Sequence, residues 1–214
     1  MDDVFTRLRE DYVGTPLTRD GLPGDPLEQF TRWFDEAVSA QLQLANGMTL
    51  ATVDADGRPS ARIVLLKSFD ARGFVFYTNY ASRKARALED TGRAALLFWW
   101  QPLHRQIRIE GRIERIDEVE SDRYFASRPR TSNLGAMASP QSAVIEDRQW
   151  LQDEFQRVRG LWDGRPLERP TGWGGYRVVA EYFEFWQGRE DRLHDRLCYT
   201  ARPDDQWRIE RLAP

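Results

Sequence analysis

The chain has 214 residues, of which 41% are hydrophobic and 30% charged, with a formal net charge of −3 and a pI near 5.6. This composition is typical of one soluble globular domain, or of two small ones at most, and its slight acidity argues against non-specific nucleic-acid binding. A single cysteine excludes an internal disulfide framework, and two histidines far apart in sequence argue against a metal site. No apolar run has the length of a signal peptide core or a membrane span, so we expect a cytoplasmic protein.

The first part of the chain is predicted to be an arm followed by a helix. Residues 1–24 mix charges with glycine and proline, which indicates a mobile arm, and we expect residues 25–214 to form a single domain. Asp25-Pro26-Leu27-Glu28 supplies an N-cap, a proline at the first helical position and an early carboxylate. Apolar residues then recur at helical spacing from Phe30.

From Met48 the apolar residues alternate, which is typical of strands. We predict strands over 48–54, 60–69, 73–78, 93–100, 105–116, 176–187, 191–201 and 206–213. Helices are predicted from Ser82 to about Gly92, from Asp117 to before Pro129, and around Trp150–Trp162. Residues 131–142 are predicted to form a polar loop and GWGGY at 172–176 a turn. The expected fold is mainly β with peripheral helices, a closed or partly closed antiparallel barrel, because closure removes exposed strand edges.

The segment FEFWQGREDRLHDR, residues 183–196, is the most informative stretch of the sequence. If the chain turns near Gln187 and returns as a strand, then Arg192, His194 and Arg196 project from one face. Two guanidinium groups that flank an imidazole repel each other unless an anion lies between them. The alternative is a solvated edge strand with ordinary surface arginines.

Three sets of residues could hold phosphates. Arg83 and Lys84 follow Ser82 at a predicted helix N-terminus, where cations are unfavourable unless an anion binds. Arg62 and Lys67 bracket four aliphatic residues and could instead be ordinary strand-end charges. A third set, Tyr124, Arg128 and Ser132, offers three donor types suited to one phosphate. For that set the residues alone favour an ordinary cationic helix C-terminus. The amides of Gln106 and Gln141, with Ser142, can pair with a heterocycle edge such as a flavin ring, although most glutamines are simply solvated.

The chain resembles the pyridoxamine 5'-phosphate oxidases over nearly its full length. The resemblance lies in EFWQGREDRLHDR at 184–196 and, in the same order and spacing, in RIVLLK at 62–67, FYTN at 76–79, SRKA at 82–85, RQIRIEG at 105–111, YFASRPRTS at 124–132, QS at 141–142 and the ending IERLAP. His104 stands where the family carries an acidic or polar residue, a departure expected to affect only the surface.

The resemblance implies an FMN-binding split β-barrel that acts as a homodimer with FMN at the interface. It places FMN against Arg62, Val64, Lys67, Tyr77, Thr78, Arg83, Lys84, Gln106, Gln141, Ser142, Trp186 and Arg196. The substrate phosphate is implied to bind Lys67, Tyr124, Arg128 and Ser132, and the arm residues Arg9 and Tyr12 to cover the substrate. Arg192 and His194 are implied to face the reacting ring as catalytic residues.

The implied activity is oxidation of pyridoxamine 5'-phosphate and pyridoxine 5'-phosphate to pyridoxal 5'-phosphate, with O2 as acceptor and H2O2 as product. A related split-barrel oxidase that acts on another ring, such as a phenazine precursor, would lose the substrate-phosphate residues. A non-catalytic carrier of flavin or of a B6 phosphate is the second alternative, and the presence of both Arg192 and His194 argues against it.

Overall fold

The computed structural model describes Tyr12, residues 14–204 and residues 206–214. The strands of this part are β1 (Gly47–Val53), β2 (Pro59–Leu65), β3 (Ser68–Asp70), β4 (Gly73–Asn79), β5 (Arg93–Trp100), β6 (Arg105–Arg115), β7 (Trp173–Gln187), β8 (Asp195–Ala201) and β9 (Trp207–Leu212). Its α-helices are α1 (Pro26–Ser39), α2 (Arg83–Thr91), α3 (Glu118–Ser127), α4 (Arg130–Ala138) and α5 (Arg148–Leu161). Among these described helices, none combines the length and the apolar character that a membrane crossing requires.

The strands belong to one sheet, in the hydrogen-bonded order β2-β1-β5-β6-β7-β4-β3, and β8 pairs with β7 and β9. The pairs β3–β4, β4–β7, β7–β8 and β8–β9 are all antiparallel. The predicted fold class, mainly antiparallel β with peripheral helices, is therefore confirmed.

The chain groups into two compact units, each built from separate stretches of sequence. The first unit comprises the described residues up to Leu50 together with 95–111 and 180–214, and the second comprises 51–94 and 112–179. The arm boundary at residue 24 and the single domain over 25–214 stay predictions.

The core of the first unit combines aromatic and aliphatic side chains. The Asp25 side chain caps α1 as predicted, accepting from the Leu27 amide at 2.8 Å. Helix α1 buries Phe30 and Trp33, and the Trp33 ring meets Phe185 edge to face. The remaining buried apolar residues of this core include Met48, Leu50, Leu96, Phe98, Trp100, Ile107, Ile109, Phe183, Leu197 and Tyr199. Helix α1 is thus packed against β7 through Phe185 and against β5 through Phe98, whose ring meets that of Phe30 edge to face.

The core of the second unit holds α2 and α3 next to strand β4. The buried Ser82 side chain caps α2, and Gly92 ends the helix with a φ of 66°, as the sequence predicts. The buried Tyr176 ring packs beside Phe76, and its hydroxyl donates to Glu89 at 2.5 Å. The Ser82 amide donates to the Asn79 carbonyl at 3.1 Å, which keeps the start of α2 at the end of β4, where the candidate site lies.

The loop predicted over residues 131–142 is wrong for most of its length, because residues 130–138 form α4. Leu134 and Ala138 are buried on this helix and pack against Val158 of α5. The free energy gained by burying this apolar face outweighs the low helix propensity of the polar residues beside it. Pro129 lies at the N-cap, where its missing N–H costs no helical hydrogen bond. Ser132 therefore lies on a helix.

The turn predicted at GWGGY is also wrong, because β7 begins at Trp173 and pairs there with β4. Gly175 lies opposite Tyr77 in this ladder, and an added Cβ would lie 2.8 Å from the Tyr77 ring. A Cβ on Gly174 would lie 2.1 Å from the Tyr80 hydroxyl. The glycines therefore allow aromatic side chains to lie directly against the strand backbone.

Two predicted strands are shorter in the structure. Strand 60–69 is interrupted after Leu65, and the Lys67 amide donates to the Val75 carbonyl at 2.8 Å before β3 begins. The strand predicted over 191–201 begins only at Asp195, because residues 190–192 form a short 3-10 turn.

Candidate functional site

A cavity of about 590 Å³ lies within the second unit, beside the ends of β2 and β4 and the helices α3 and α4. Nine of the site residues predicted from the sequence line it: Val64, Lys67, Tyr77, Thr78, Lys84, Tyr124, Arg128, Ser132 and Gln141. Residues from elements separated in sequence thus share one cavity, as the sequence interpretation requires.

Lys84, in the first turn of α2, is held at one end of this cavity by uncharged oxygens. Its Nζ lies 3.1 Å from Gln141 Oε1 and 3.3 Å from Thr78 Oγ1, and the Thr78 hydroxyl donates to the same Gln141 oxygen at 2.8 Å. Within the described residues no carboxylate lies within ion-pair distance of Lys84. Burial, and then the nearby Arg62 charge, lower the pKa of the Lys84 ammonium. An anion bound here would relieve both effects.

Arg62 adds a second partly buried cation to this region. Its guanidinium donates to Thr52 Oγ1 at 2.9 Å and to Ser60 Oγ at 2.5 Å. Burial, and then repulsion from Arg83, lower the pKa of Arg62. Three cations therefore cluster around the N-terminus of α2, and this donor chemistry fits a phosphate group.

Three aromatic side chains, those of Tyr77, Tyr124 and Trp173, also line the cavity. The Tyr77 ring is nearly parallel to the rings of Tyr124 and Trp173, with centroids 3.9 and 5.4 Å away, and those two rings are themselves 6.2 Å apart. Burial raises the pKa of Tyr77 to about 12, so its hydroxyl remains a hydrogen-bond donor at neutral pH. The Lys67 ammonium lies 6.0 Å from the centre of the Tyr124 ring.

Arg128 covers this stack immediately after α3. Its guanidinium lies 4.7 Å from the Trp173 ring, and it donates to Asn133 Oδ1 at 3.0 Å and to the Ser132 carbonyl at 3.2 Å. Burial lowers the pKa of Arg128. The arginine is thus fixed by neutral groups and retains a charge that a phosphate can neutralise. Trp173 and Asn133 were not recognised from sequence, because each acts through a neighbour.

A second group of predicted residues lies in the first unit, around an aromatic cluster. The rings of His104, Trp186 and His194 lie 4.9, 5.6 and 5.5 Å from that of Tyr12, all steeply inclined to it. Trp186 and His194 are themselves 4.6 Å apart. His104, expected to matter only for the surface, packs instead against the Tyr12 ring.

His194 accepts a hydrogen bond from the Arg189 amide to its Nδ1, at 3.1 Å. In the neutral imidazole the proton therefore lies on Nε2. Burial, and then the nearby Arg192 charge, lower the pKa of His194. The imidazole is accordingly a neutral donor through Nε2 at pH 7.

The predicted common face of Arg192, His194 and Arg196 is wrong for the first two residues. Asp191 and Arg192 have φ angles of 54° and 60°, so the backbone curls through this segment and strand alternation does not apply. A non-glycine pair in this conformation is costly, and such strain is found mainly at functional sites. The amino-acid composition of this segment does not indicate these positive φ angles.

The remaining predicted residues occupy the following positions. Arg196 lies opposite Trp186 in the β7–β8 ladder, Gln106 lies near the start of β6, and Ser142 has a φ of 73° beside Gln141. Arg9 lies outside the described residues.

The fold and the cavity of the second unit together indicate a class of protein. An antiparallel sheet protein with an aromatic cavity, partly buried cations and few acidic neighbours is typical of an enzyme that binds phosphate-bearing small molecules.

The pyridoxamine 5'-phosphate oxidase family model matches residues 34–162, and the model of the pyridoxine 5'-phosphate oxidase C-terminal dimerisation region matches residues 173–214. The pyridoxine/pyridoxamine 5'-phosphate oxidase of Rubrobacter xylanophilus is 56% identical over 97% of this chain and 95% of its own. That of Trichormus variabilis is 50% identical over the full length of both. Among solved structures, PhzG from Burkholderia lata, in complex with tetrahydrophenazine-1-carboxylic acid, superposes with a TM-score of 0.87. It is 34% identical, over 94% of this chain and 99% of that one. The chain belongs to the pyridoxamine 5'-phosphate oxidase family and is an oxidase.

Proposed function

We propose that this protein binds FMN and oxidises pyridoxamine 5'-phosphate and pyridoxine 5'-phosphate to pyridoxal 5'-phosphate, with O2 as acceptor and H2O2 as product. The observation that carries the proposal is the cavity in the second unit. Its lining includes Lys84 with its partners Thr78 and Gln141, and also Lys67, Tyr124, Arg128 and Ser132. Two cationic groups in one cavity fit two phosphates, one from the cofactor and one from the substrate.

The residues around Lys84 are suited to the phosphate of FMN. Lys84 and Arg83 supply charge at the N-terminus of α2, and Thr78 and Gln141 fix the position of the Lys84 ammonium. When bound, FMN supplies the two-electron acceptor that takes a hydride from the C4' carbon and passes the electrons to O2.

The substrate phosphate is assigned to Lys67, Tyr124, Arg128 and Ser132. Tyr77, Val64 and Gln141 are further lining residues assigned to the cofactor. From the first unit, Gln106, Trp186 and Arg196 are assigned to FMN, and Tyr12 to the substrate. Arg9, which lies outside the described residues, is assigned to the substrate from the family resemblance. Arg62 and Ser142 complete the cofactor set.

His194 and Arg192 are assigned to the reacting ring. Because Nδ1 of His194 already accepts from Arg189, the free position of the neutral imidazole is the Nε2–H group. His194 is therefore proposed to donate a hydrogen bond to the substrate. Arg192 is proposed to hold the substrate and favour loss of its amine or hydroxyl proton.

The test is turnover of each 5'-phosphate in air with H2O2 detection, using unphosphorylated pyridoxamine as the control. We expect bound oxidised flavin in the visible spectrum and H2O2 from both 5'-phosphates, with the unphosphorylated amine a poor substrate. Absence of turnover with bound FMN would indicate a carrier, and a chain that binds no FMN would contradict the whole proposal.

The structural relative PhzG, in complex with tetrahydrophenazine-1-carboxylic acid, is compatible with a second candidate, an oxidase of a phenazine precursor, although the presence of Tyr124, Arg128 and Ser132 counts against it. The same assay with a reduced phenazine carboxylic acid separates the two. Turnover of that acid without turnover of the 5'-phosphates would establish the second candidate.

A further inference from the structure

A buried carboxylate lies among the proposed cofactor-binding residues of the first unit. Glu184 is on β7, two residues before Trp186 and therefore on the same strand face, and only 3% of it is exposed. A buried carboxylate is costly unless it is paired and hydrogen-bonded. Its partners therefore indicate what it does.

Each carboxylate oxygen of Glu184 accepts from a different guanidinium. Arg196 Nε lies 2.8 Å from Oε1, and Arg108 Nη2 lies 2.7 Å from Oε2. The Tyr182 hydroxyl also lies 3.3 Å from Oε2. Arg108 and Tyr182 thus orient the carboxylate from one side, while its other oxygen holds Arg196.

The Arg196 guanidinium is anchored at two points. Its Nε donates to Glu184, and its Nη1 donates to the Ala213 carbonyl at 2.8 Å. Because a guanidinium is planar, two anchors fix the direction of its third nitrogen, Nη2, which makes no hydrogen bond to the described residues. Arg196 lies opposite Trp186 in the β7–β8 ladder.

We propose that Glu184 is a positioning residue for the cofactor: its carboxylate orients Arg196 so that Nη2 is presented to FMN. This inference rests on the proposed function. Its competitor is a purely structural role, in which the Arg108–Glu184–Arg196 cluster only stabilises the sheet.

The first experiment compares the FMN affinity of the parent with those of Glu184→Gln and Glu110→Gln, from quenching of flavin fluorescence as FMN is titrated into the FMN-free chain. Glutamine is nearly isosteric but removes the charge that holds Arg196, so we expect roughly tenfold weaker binding. Glu110 pairs with the same Arg108, at 3.1 Å, but is half exposed and does not contact Arg196. Its variant is the matched control and should bind FMN within about twofold of the parent.

A double-mutant cycle separates positioning from structural support. If Glu184 acts through Arg196, then Glu184→Gln should cause no further loss of FMN affinity in an Arg196→Ala background. Equal losses in the two backgrounds, or a folded Glu184→Gln variant with parental affinity, would overturn the inference.

Melting temperatures of all variants report folding independently of FMN. If Glu184→Gln does not fold, Glu184→Asp replaces it, since the shorter side chain keeps the charge but withdraws it from Arg196. Its FMN affinity should fall about threefold or more, and an unchanged affinity would overturn the inference. A parent chain that fails to bind FMN would instead contradict the proposed function.

Discussion

Arg128 is the residue that best separates the substrate phosphate from the cofactor. In Arg128→Ala we expect the apparent affinity for pyridoxamine 5'-phosphate to fall about ten- to a hundredfold, because hydrogen bonds to a charged group contribute roughly 1.5–3 kcal/mol. FMN content should be unchanged. The measurement is KM for the phosphorylated and the unphosphorylated amine, in the parent and in the variant.

Arg123→Ala is the matched control, since Arg123 is an exposed arginine on α3 that does not line the cavity containing Arg128. Equal losses for both substrates in Arg128→Ala would mean that the arginine is structural and that the phosphate binds elsewhere.

The contribution of His194 to the free energy of unfolding should change with pH in a defined direction. Its pKa is lowered in the folded chain, so the unfolded chain binds the proton more readily. Its contribution to the free energy of unfolding should be constant above about pH 6.5 and should be lost as the pH falls below that value towards the folded pKa. Urea unfolding of the parent and of His194→Gln from pH 5 to 8 measures the difference. A parent that gains stability relative to the variant on acidification would contradict the assignment.

Among the secondary-structure elements, helix α2 is the one whose mutation should release FMN. Arg83→Ala combined with Lys84→Ala should release FMN and leave the chain folded, because the Ser82 cap and the buried face of α2 are untouched. Flavin absorbance after gel filtration and circular dichroism report the two properties. Arg86→Ala, an exposed arginine on the same helix, should retain FMN. Full FMN content in the double variant would place the cofactor phosphate elsewhere.

Gly174, near the start of β7, is expected not to tolerate a side chain. In Gly174→Ala the new Cβ would overlap the Tyr80 hydroxyl, so we expect the free energy of unfolding to fall by about 1–3 kcal/mol. At Gly172, two residues earlier, an added Cβ would meet none of the described residues within 4 Å, and the alanine variant should stay within about 0.5 kcal/mol of the parent. Chemical denaturation distinguishes the two, and similar values would mean that Tyr80 moves aside freely.

The elements that could be predicted from the sequence are those with local signals. Asp25, Ser82 and Asp117 each cap a helix, and their short-range hydrogen bonds depend on neighbours in sequence. Helix α4 depends on its packing against α5, and the start of β7 depends on aromatic rings distant in sequence, so neither could be read locally.

The candidate site likewise contains some residues that local sequence signals predict and others that they do not. Lys84 can be predicted from the residues alone, because a cation at a helix N-terminus is unfavourable without an anion, whereas Arg128 is equally typical of a helix C-terminus and is indicated only by the family resemblance. Glu184 was missed because a carboxylate in a strand normally faces solvent, and its partner Arg108 lies 76 residues away. The positive φ angles of Asp191 and Arg192 have no signature in composition.

For the whole molecule we expect a homodimer in solution. The region from residue 173 to 214 matches a dimerisation region, and large apolar side chains such as Ile63 and Trp99 are 66% and 45% exposed in the single chain. Light scattering should give a mass of twice the 25.0 kDa of the chain. An active oxidase with the mass of one chain would contradict this prediction.

The connection between β7 and β8 constrains how this sequence can vary. Gln187 and Asp195 are ladder partners, so residues 188–194 must close the gap between them through the positive φ angles of Asp191 and Arg192. Side chains on a strand alternate, and a shift of one position exchanges the two faces. A one-residue insertion absorbed by β8 would therefore exchange the positions of Arg196 and the buried Leu197. Natural variants should accordingly conserve the length of this connection, and sequence changes within it should fall outside Arg192 and His194.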